Sequence, residues 1–186
     1  MNVYRIVIGF IAFVIALSIV RYAWPARQDD VARRVIKAID GLASQSKMRT
    51  EDEVFNITKI AIENEGLDPD YVDRGTGLSL LMYAARTGSY KLTRYLVDRG
   101  ASPHYVNPLL ETPLMYAALS GDMRVIKYFV EELDADVNAM SKGWPVLKWG
   151  KDFDQSKRVA DYLRSKGAVA GSYEWGPQKR QPTHYR

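Results

Sequence analysis

The chain has 186 residues, 47% of them hydrophobic, which suffices for one folded unit with a buried core but not for two full domains. It contains no cysteine, and this excludes disulfides, thiolate metal ligands and a cysteine nucleophile. Its two histidines, His104 and His184, exclude a three-histidine metal site within one chain. The net charge of +4 is small and interspersed, so it does not indicate nucleic acid.

The N-terminal segment is strongly apolar. Ile6 to Val20 is a run of 15 residues without a charge, placed between Arg5 and Arg21. At about 1.5 Å per residue this run is shorter than the roughly 30 Å of bilayer hydrocarbon, but arginine side chains at both ends reach the interfaces. We therefore predict a single-pass signal anchor over residues 3–24, within an N-terminal segment of residues 1–24.

Two questions about this anchor stay open at the level of sequence. A cleaved signal peptide fits the length of the apolar run, although the residues after Val20 lack the small side chains of a cleavage site. The arginines that follow the anchor favour a cytoplasmic body by the positive-inside rule. Against this, a short N-terminal tail before one anchor is common among exported domains.

Residues 25–50 are predicted to form an amphipathic helix and a linker. Asp29 and Asp30 supply the acids of the first helical turn. The apolar residues that follow recur on one helix face, namely Val31, Val35, Ile36, Ile39 and Leu42. A second helix is predicted after Thr50, which makes a capping-box pattern with Glu53.

From residue 77 onward the sequence repeats itself at an offset of 33 residues. The run Leu-Met-Tyr-Ala-Ala at residues 81–85 returns at residues 114–118, and Gly88 returns as Gly121. We call residues 77–106 the first full unit and residues 110–138 the second. Weaker matches upstream and downstream extend the array to four members with degenerate ends.

This pattern resembles the ankyrin repeat over residues 51–169. The resemblance implies an all-α solenoid of helix-turn-helix units with short β-hairpin fingers, in a domain of residues 51–171 before a flexible basic tail of residues 172–186. It also implies that Thr112 caps a first helix that starts at Pro113, and that Gly88 and Gly121 end first helices at positive φ. The family's pattern is carried most fully by Thr112-Pro113-Leu114, Ala117-Ala118, Gly121 and Asp136-Val137-Asn138.

Three departures from the family pattern carry structural expectations. Met82 and Met115 replace the family's histidine, so packing must substitute for its hydrogen bonds. An extra residue near Leu133 displaces the glycine that should end the second helix of its unit. The spacing from Pro145 to Tyr162 predicts a remodelled first helix in the last unit.

Ankyrin units ordinarily bind partner proteins through their concave face and fingers. Two fingers, at residues 105–110 and 140–149, are more apolar than exposed loops need to be, although Leu110 or Trp149 can equally cover the end of a repeat. The predicted partner-binding residues combine these fingers with the family's variable positions: Thr76, Leu78, Arg86, Thr87, Tyr105, Leu109, Leu110, Glu111, Leu119, Ser120, Trp144 and Trp149.

No pattern in the sequence indicates catalysis, a metal or a cofactor. His104 follows a proline in a turn and is expected to be a solvated residue. The acidic residues in the turns of the repeats are expected to bond to the backbone and cap those turns: Asp68, Asp70, Asp73, Asp134 and Asp136. We therefore expect a non-enzymatic protein that is monomeric when unbound and does not bind nucleic acid.

A single anchor followed by a short ankyrin array also resembles the immunity proteins that accompany secreted phospholipase-type toxins of bacterial type VI secretion systems. The resemblance lies in architecture and not in any motif. It implies a toxin inhibitor in the inner membrane with its ankyrin domain in the periplasm. The alternatives are a cytoplasm-facing scaffold or regulator that recruits a partner protein, and a lipid-surface protein that uses its basic tail.

Overall fold

The computed structural model describes residues 24, 26–42, 50–149 and 153–169. Apart from Trp24, the predicted membrane anchor lies outside these residues, and so does the basic tail of residues 172–186. Within the described part of the chain, no helix is both long enough and apolar enough to cross a bilayer.

The described chain consists of short helices connected by turns and fingers. Helix α1 covers residues 26–42, and the helices after it are α2 (Glu51–Glu63), α3 (Leu80–Thr87), α4 (Tyr90–Asp98), α5 (Pro113–Ser120), α6 (Met123–Lys127) and α7 (Phe153–Ser165). Helix α6 continues as one π-helical turn, Tyr128–Glu132, and a 3-10 turn, Val146–Lys148, precedes α7. Two short strands, β1 (Met140–Ser141) and β2 (Trp144–Pro145), pair in antiparallel fashion. The all-α solenoid with hairpin fingers is therefore the fold of this part of the chain.

The core is built by stacking the first helices of successive units. Helix α3 packs against α5, and all residues from Leu80 to Ala85 and from Pro113 to Ala118 are buried. Met82 and Met115 are completely buried, so a packed methionine side chain takes the place of the family's histidine, as predicted. Each buried leucine or methionine side chain contributes about 2 kcal/mol, and this nearest-neighbour burial holds the array together.

Helix α1 belongs to the same core as the repeats. Val35 and Ile39 are buried in the cluster that also contains the leucines of α3. Gln28 ties α1 to the turn after α2, because its amide donates to the carbonyl of Gly66 and accepts from the N–H of Asp68. The core thus crosses the predicted boundary at residue 51, which the sequence alone did not indicate.

The two central first helices begin differently. Ser79 caps α3 by accepting a hydrogen bond from the N–H of Met82 at 3.2 Å. Thr112 occupies the same position before α5 but makes no capping bond, and its buried Oγ1 has no partner among the described residues. The expectation that Thr112 caps α5 through its side chain was therefore wrong, although Pro113 does occupy the first turn. A buried hydroxyl without a partner costs stability.

The predicted extra residue near Leu133 is absorbed by the π-helical turn. The N–H of Leu133 bonds to the carbonyl of Tyr128 at 3.2 Å, a five-residue spacing, and Phe129 stays completely buried. Asp134 then adopts a φ of 50°, in place of the glycine that ends the second helix in other units. The insertion therefore changes the helix end without moving the core.

Two further expectations about helix ends are confirmed. Gly88 and Gly121 end α3 and α5 in the left-handed region, with φ of 75° and 71°. In the last unit the first helix is reduced to the three-residue turn Val146–Lys148, where α3 and α5 each have eight residues.

Candidate protein-binding surface on the fingers

Three fingers project between the stacked helices. Finger 1 covers residues 73–78 and is closed by the N–H of Asp73, which donates to the carbonyl of Leu78 at 2.8 Å. Finger 2 covers residues 107–111 and is closed by the N–H of Asn107, which donates to the carbonyl of Glu111 at 3.1 Å. Finger 3 covers residues 140–145 and is the β1–β2 hairpin.

A polar network at the base of finger 2 holds its tip. The Oδ1 atom of Asn107 accepts from the N–H groups of Leu109 and Glu111, both at 2.9 Å. Its amide nitrogen and the hydroxyl of Tyr116 donate to the same Glu111 oxygen, Oε2, at 2.7 and 2.8 Å. Burial, and then the bond to Glu111, raise the pKa of Tyr116, which keeps this hydroxyl a donor. These hydrogen bonds fix the backbone of the loop, and the side chains of Leu109 and Leu110 take no part in them.

Leu110, at the tip of finger 2, is both strained and exposed. Its φ is 62°, a left-handed conformation that is costly for a leucine, and its side chain is 60% exposed. The conformation is imposed by the loop, since the N–H of Leu110 bonds to the carbonyl of Asn107 at 2.9 Å. Leu110 therefore does not cover the end of a repeat. Strain that presents an apolar side chain to solvent is a reason to suspect a binding role.

Exposed apolar side chains of fingers 2 and 3 lie close together. The Oγ of Ser141 donates to the carbonyl of Leu109 at 2.7 Å and so links the two fingers. A cavity of about 250 Å³ lies between them and is lined in part by Val106, Leu110 and Met140. We use the name finger patch for the five exposed residues Val106, Leu109, Leu110, Met140 and Trp144, of which Met140 and Trp144 lie on opposite faces of finger 3.

A second cavity, of about 280 Å³, lies on the other side of finger 3. Its lining combines aromatic and charged side chains: Glu111, Ser141, Lys142, Trp144, Lys148 and Trp149. Trp149 is half-buried, with its ring centroid 5.8 Å from that of Tyr116 in an edge-to-face arrangement. Trp144 is 56% exposed, and the Nζ of Lys148 lies 5.4 Å from the centre of its ring.

Finger 1 is polar where finger 2 is apolar. The Oδ2 atom of Asp73 accepts from the hydroxyls of Thr76 at 2.8 Å and Tyr83 at 3.1 Å, while Oδ1 accepts from the N–H of Gly75. Burial alone would raise the pKa of Asp73, but these hydrogen bonds outweigh it and lower that pKa below its usual value. The carboxylate therefore organises the turn and presents no apolar anchor.

The structure places the predicted site residues in two groups. Leu109, Leu110 and Trp144 are each exposed, on fingers 2 and 3, whereas Leu78 and Glu111 are buried, at 8% and 9% exposure. Leu78 joins the core, and Glu111 supports the finger 2 loop and lines the cavity beside finger 3, so partner binding by these two residues stays a prediction. Val106 and Met140 are exposed members of the finger patch that the predicted set did not include.

The remaining predicted residues make intramolecular contacts, and partner binding by them stays a prediction. Arg86 forms an ion pair with Asp40 of α1. The hydroxyls of Thr87 and Ser120 donate to carbonyls one turn earlier in their own helices. Other contacts place Thr76 in the finger 1 turn, Tyr105 on the carbonyl of Gly77 at 3.1 Å, Leu119 half-buried against the core, and Trp149 against Tyr116.

The acidic turn residues serve the backbone, as expected. Asp68, Asp73 and Asp136 each accept a hydrogen bond from the N–H two residues later. Asp134 differs, because it takes the left-handed position at a helix end. In the described ranges no group of three or more acidic or histidine side chains is arranged to hold a metal ion. His104 is exposed at the edge of the cavity between fingers 2 and 3.

Stacked pairs of short helices with fingers between them define a helical-repeat solenoid, a class that presents an extended surface to partners. The family model for ankyrin repeats (3 copies) matches residues 50–141 and, in an overlapping match, residues 81–169. The chain therefore belongs to the ankyrin-repeat family. The repeats are a protein–protein interaction module, and proteins of this family are typically non-enzymatic interaction scaffolds. Among curated proteins, none matches the sequence significantly.

Proposed function

We propose that the chain binds a partner protein through the finger patch. The observation that carries this proposal is the strained, exposed Leu110, which the Asn107 loop presents at the tip of finger 2, next to finger 3. Neighbouring apolar and aromatic side chains on a rigid support are typical of the few residues that dominate binding energy in protein interfaces. A rigid solenoid also binds with little rearrangement, which favours a tight complex.

The more specific proposal is an immunity protein that inhibits a cognate secreted toxin of the phospholipase type. It rests on the architecture predicted from sequence: an inner-membrane anchor over residues 3–24, with the repeats in the periplasm, where the finger patch occludes the toxin's site. The arginines that follow the anchor favour the other orientation, in which the same patch recruits a cytoplasmic partner as a scaffold or regulator.

The patch is tested by affinity capture from the native host, with the full chain in mild detergent as bait and mass spectrometry as readout. Leu110→Asp and Trp144→Asp should each abolish capture of the dominant partner, because a carboxylate cannot be desolvated in an apolar contact. Ile60→Asp is the matched control, since Ile60 is 50% exposed on α2, away from the fingers. Capture that survives both finger substitutions would rule the patch out.

Two measurements separate the immunity and scaffold proposals. A reporter enzyme that is active only outside the cytoplasm, fused to the C-terminus, gives the topology of the repeats. The captured partner, purified and assayed for lipid hydrolysis, should lose activity on addition of the full chain and keep it with Leu110→Asp. A cytoplasmic C-terminus, or a partner without hydrolase activity, would instead favour the scaffold.

A further inference from the structure

The cavity beside finger 3 is lined by two lysines that have no acidic partner in the part of the chain that the structure describes. Lys142 lies at the tip of the hairpin and Lys148 in the 3-10 turn, and both line the cavity with Trp144 and Trp149. Among the described residues, no carboxylate lies within ion-pair distance of either ammonium group. The contact made by Lys148 is with the face of the Trp144 ring, which positions its charge beside an apolar surface.

Several basic side chains elsewhere in the repeats pair with carboxylates, whereas Lys127 lies over the Tyr162 ring at 5.9 Å. Lys91 pairs with Asp52 at 2.7 Å, and Lys166 pairs with Glu131 at 2.9 Å. Arg86 pairs with Asp40 of α1. The two cavity lysines therefore differ from these basic residues, and they lie next to the finger patch.

Among the described residues that line the cavity, the one carboxylate, Glu111, already accepts hydrogen bonds. Glu111 is buried, and its Oε2 accepts hydrogen bonds from Asn107 and Tyr116. These neutral donors stabilise the carboxylate without cancelling its charge, and two ammonium groups against one carboxylate leave the described lining of the cavity positive. An anionic group of a partner would gain attraction to both lysines while its apolar neighbours contact the indole rings.

The backbone conformation of Lys142 is unfavourable for a lysine, which supports a role for its charge in binding. Lys142 and Gly143 form the two-residue turn of the hairpin, with φ of 50° and 80°. Asparagine adopts this conformation more readily than lysine does, and Asn-Gly is the preferred pair in such turns. A lysine here costs some stability and places a charged side chain at the tip of the finger.

We infer that the partner binds through an acidic segment: a carboxylate of the partner meets Lys142 and Lys148, and an adjoining aromatic or aliphatic side chain packs between Trp144 and Trp149. This inference rests on the proposed function, because it specifies the chemistry of the partner at the same surface. It also gives the complex an electrostatic component, so binding weakens as salt rises.

The test uses a random peptide library displayed on phage and panned on the full chain in detergent micelles. Enriched peptides should carry Asp or Glu beside Leu, Phe or Trp. The strongest one is then synthesised with its acids intact and with each acid replaced by its amide, and the affinities are measured by fluorescence polarisation. The acidic form should bind about tenfold more tightly, and the difference should shrink at high salt.

Three variants assign the effect to the cavity. Lys142→Asn should keep or raise the melting temperature, because asparagine suits the turn, yet lose about tenfold in affinity for the acidic peptide. Lys148→Gln should weaken binding similarly. Lys157→Gln, on the exposed face of α7, is the matched control and should bind as the wild type does.

The outcomes separate this inference from the proposed function. Enriched peptides that are neutral or basic, or that bind both lysine variants normally, would overturn the acidic partner. If such peptides still lose binding to Leu110→Asp, the finger patch stands as the binding surface. If Leu110→Asp has no effect, or if no peptide is enriched, both the acidic partner and the patch fail.

Discussion

The two full units share a fold but satisfy their local requirements differently. The first unit departs from the ankyrin pattern at Ser79-Leu80, yet Ser79 caps its helix. The second unit has the family's Thr112-Pro113, yet the buried hydroxyl of Thr112 has no partner in the described chain. Closeness to a family pattern is therefore not a measure of local stability, because each side chain is satisfied only if its neighbours supply the matching group.

The two units also differ in which residue types adopt left-handed backbone conformations. In the first unit the left-handed positions are taken by glycines, at Gly77, Gly88 and Gly100. The second unit and the finger after it place Leu110, Asp134 and Lys142 in that region. The first unit is not free of cost, since the buried Thr93 hydroxyl has no partner among the described residues. The strained non-glycine residues, however, include two that lie at the proposed binding surface, which is where strain is retained for function.

Substitutions at the two capping positions, Ser79 and Thr112, should give the largest difference in the free energy of unfolding. Ser79→Ala removes a working cap and should lower the free energy of unfolding by about 1 kcal/mol. Thr112→Val removes an unpaired hydroxyl without changing the shape of the side chain and should raise that free energy by about 1 kcal/mol. Urea unfolding of the full chain followed by circular dichroism measures both. Shifts of the same sign would show that the two positions are equivalent after all.

A smaller effect is expected at the tip of finger 2. Leu110→Gly relieves a left-handed leucine and should raise the free energy of unfolding by about 0.5–1 kcal/mol, after the added chain entropy of glycine. The same substitution should weaken partner binding, because it removes the exposed anchor. Leu109→Gly is the matched control: it lies next along the same exposed tip, outside the positive-φ region, and should lose stability. A loss of stability in Leu110→Gly would show that the left-handed conformation of Leu110 does not destabilise the fold.

The smallest effect concerns pH and finger 1. Because the folded chain lowers the pKa of Asp73, the carboxylate stabilises the fold above the unfolded pKa of about 3.9. That contribution is lost as pH falls through the lower folded value. Thermal melts of the wild type and Asp73→Asn should therefore differ most near neutral pH and converge in acid. Tyr83→Phe removes one donor and should reduce the difference; a constant difference across pH would exclude this role.

Much of the fold follows from local sequence signals. The helix starts at Thr50 and Ser79, the glycine helix ends and the 33-residue period all depend on contacts within one unit or between neighbours. The extra residue near Leu133 could also be located from sequence, but the backbone conformation that accommodates it could not. A π-helical turn is one of several ways to absorb an insertion, and the buried Phe129 selects it because the core residue must keep its place.

The candidate site was predictable only in part. The exposed Leu110 and Trp144 follow from the apolar composition of fingers 2 and 3. The burial of Glu111 does not, because it depends on Asn107 and Tyr116 meeting one carboxylate across the base of a loop. That Lys142 and Lys148 have no acidic partner among the described residues could not be predicted either, since a pattern along the chain does not report which charges find partners in space.

The sequence by itself determined the family, the period and the binding class, because ankyrin units depend on short-range patterns that repeat. Tertiary structure alone decided that α1 completes the core, that the Thr112 hydroxyl has no partner in the described chain, that finger 2 presents a strained leucine, and that two lysines line the cavity beside finger 3. These features arise from residues that are distant in sequence, or from side chains that compete for the same partner. Their outcome is set by packing in three dimensions rather than by any local preference.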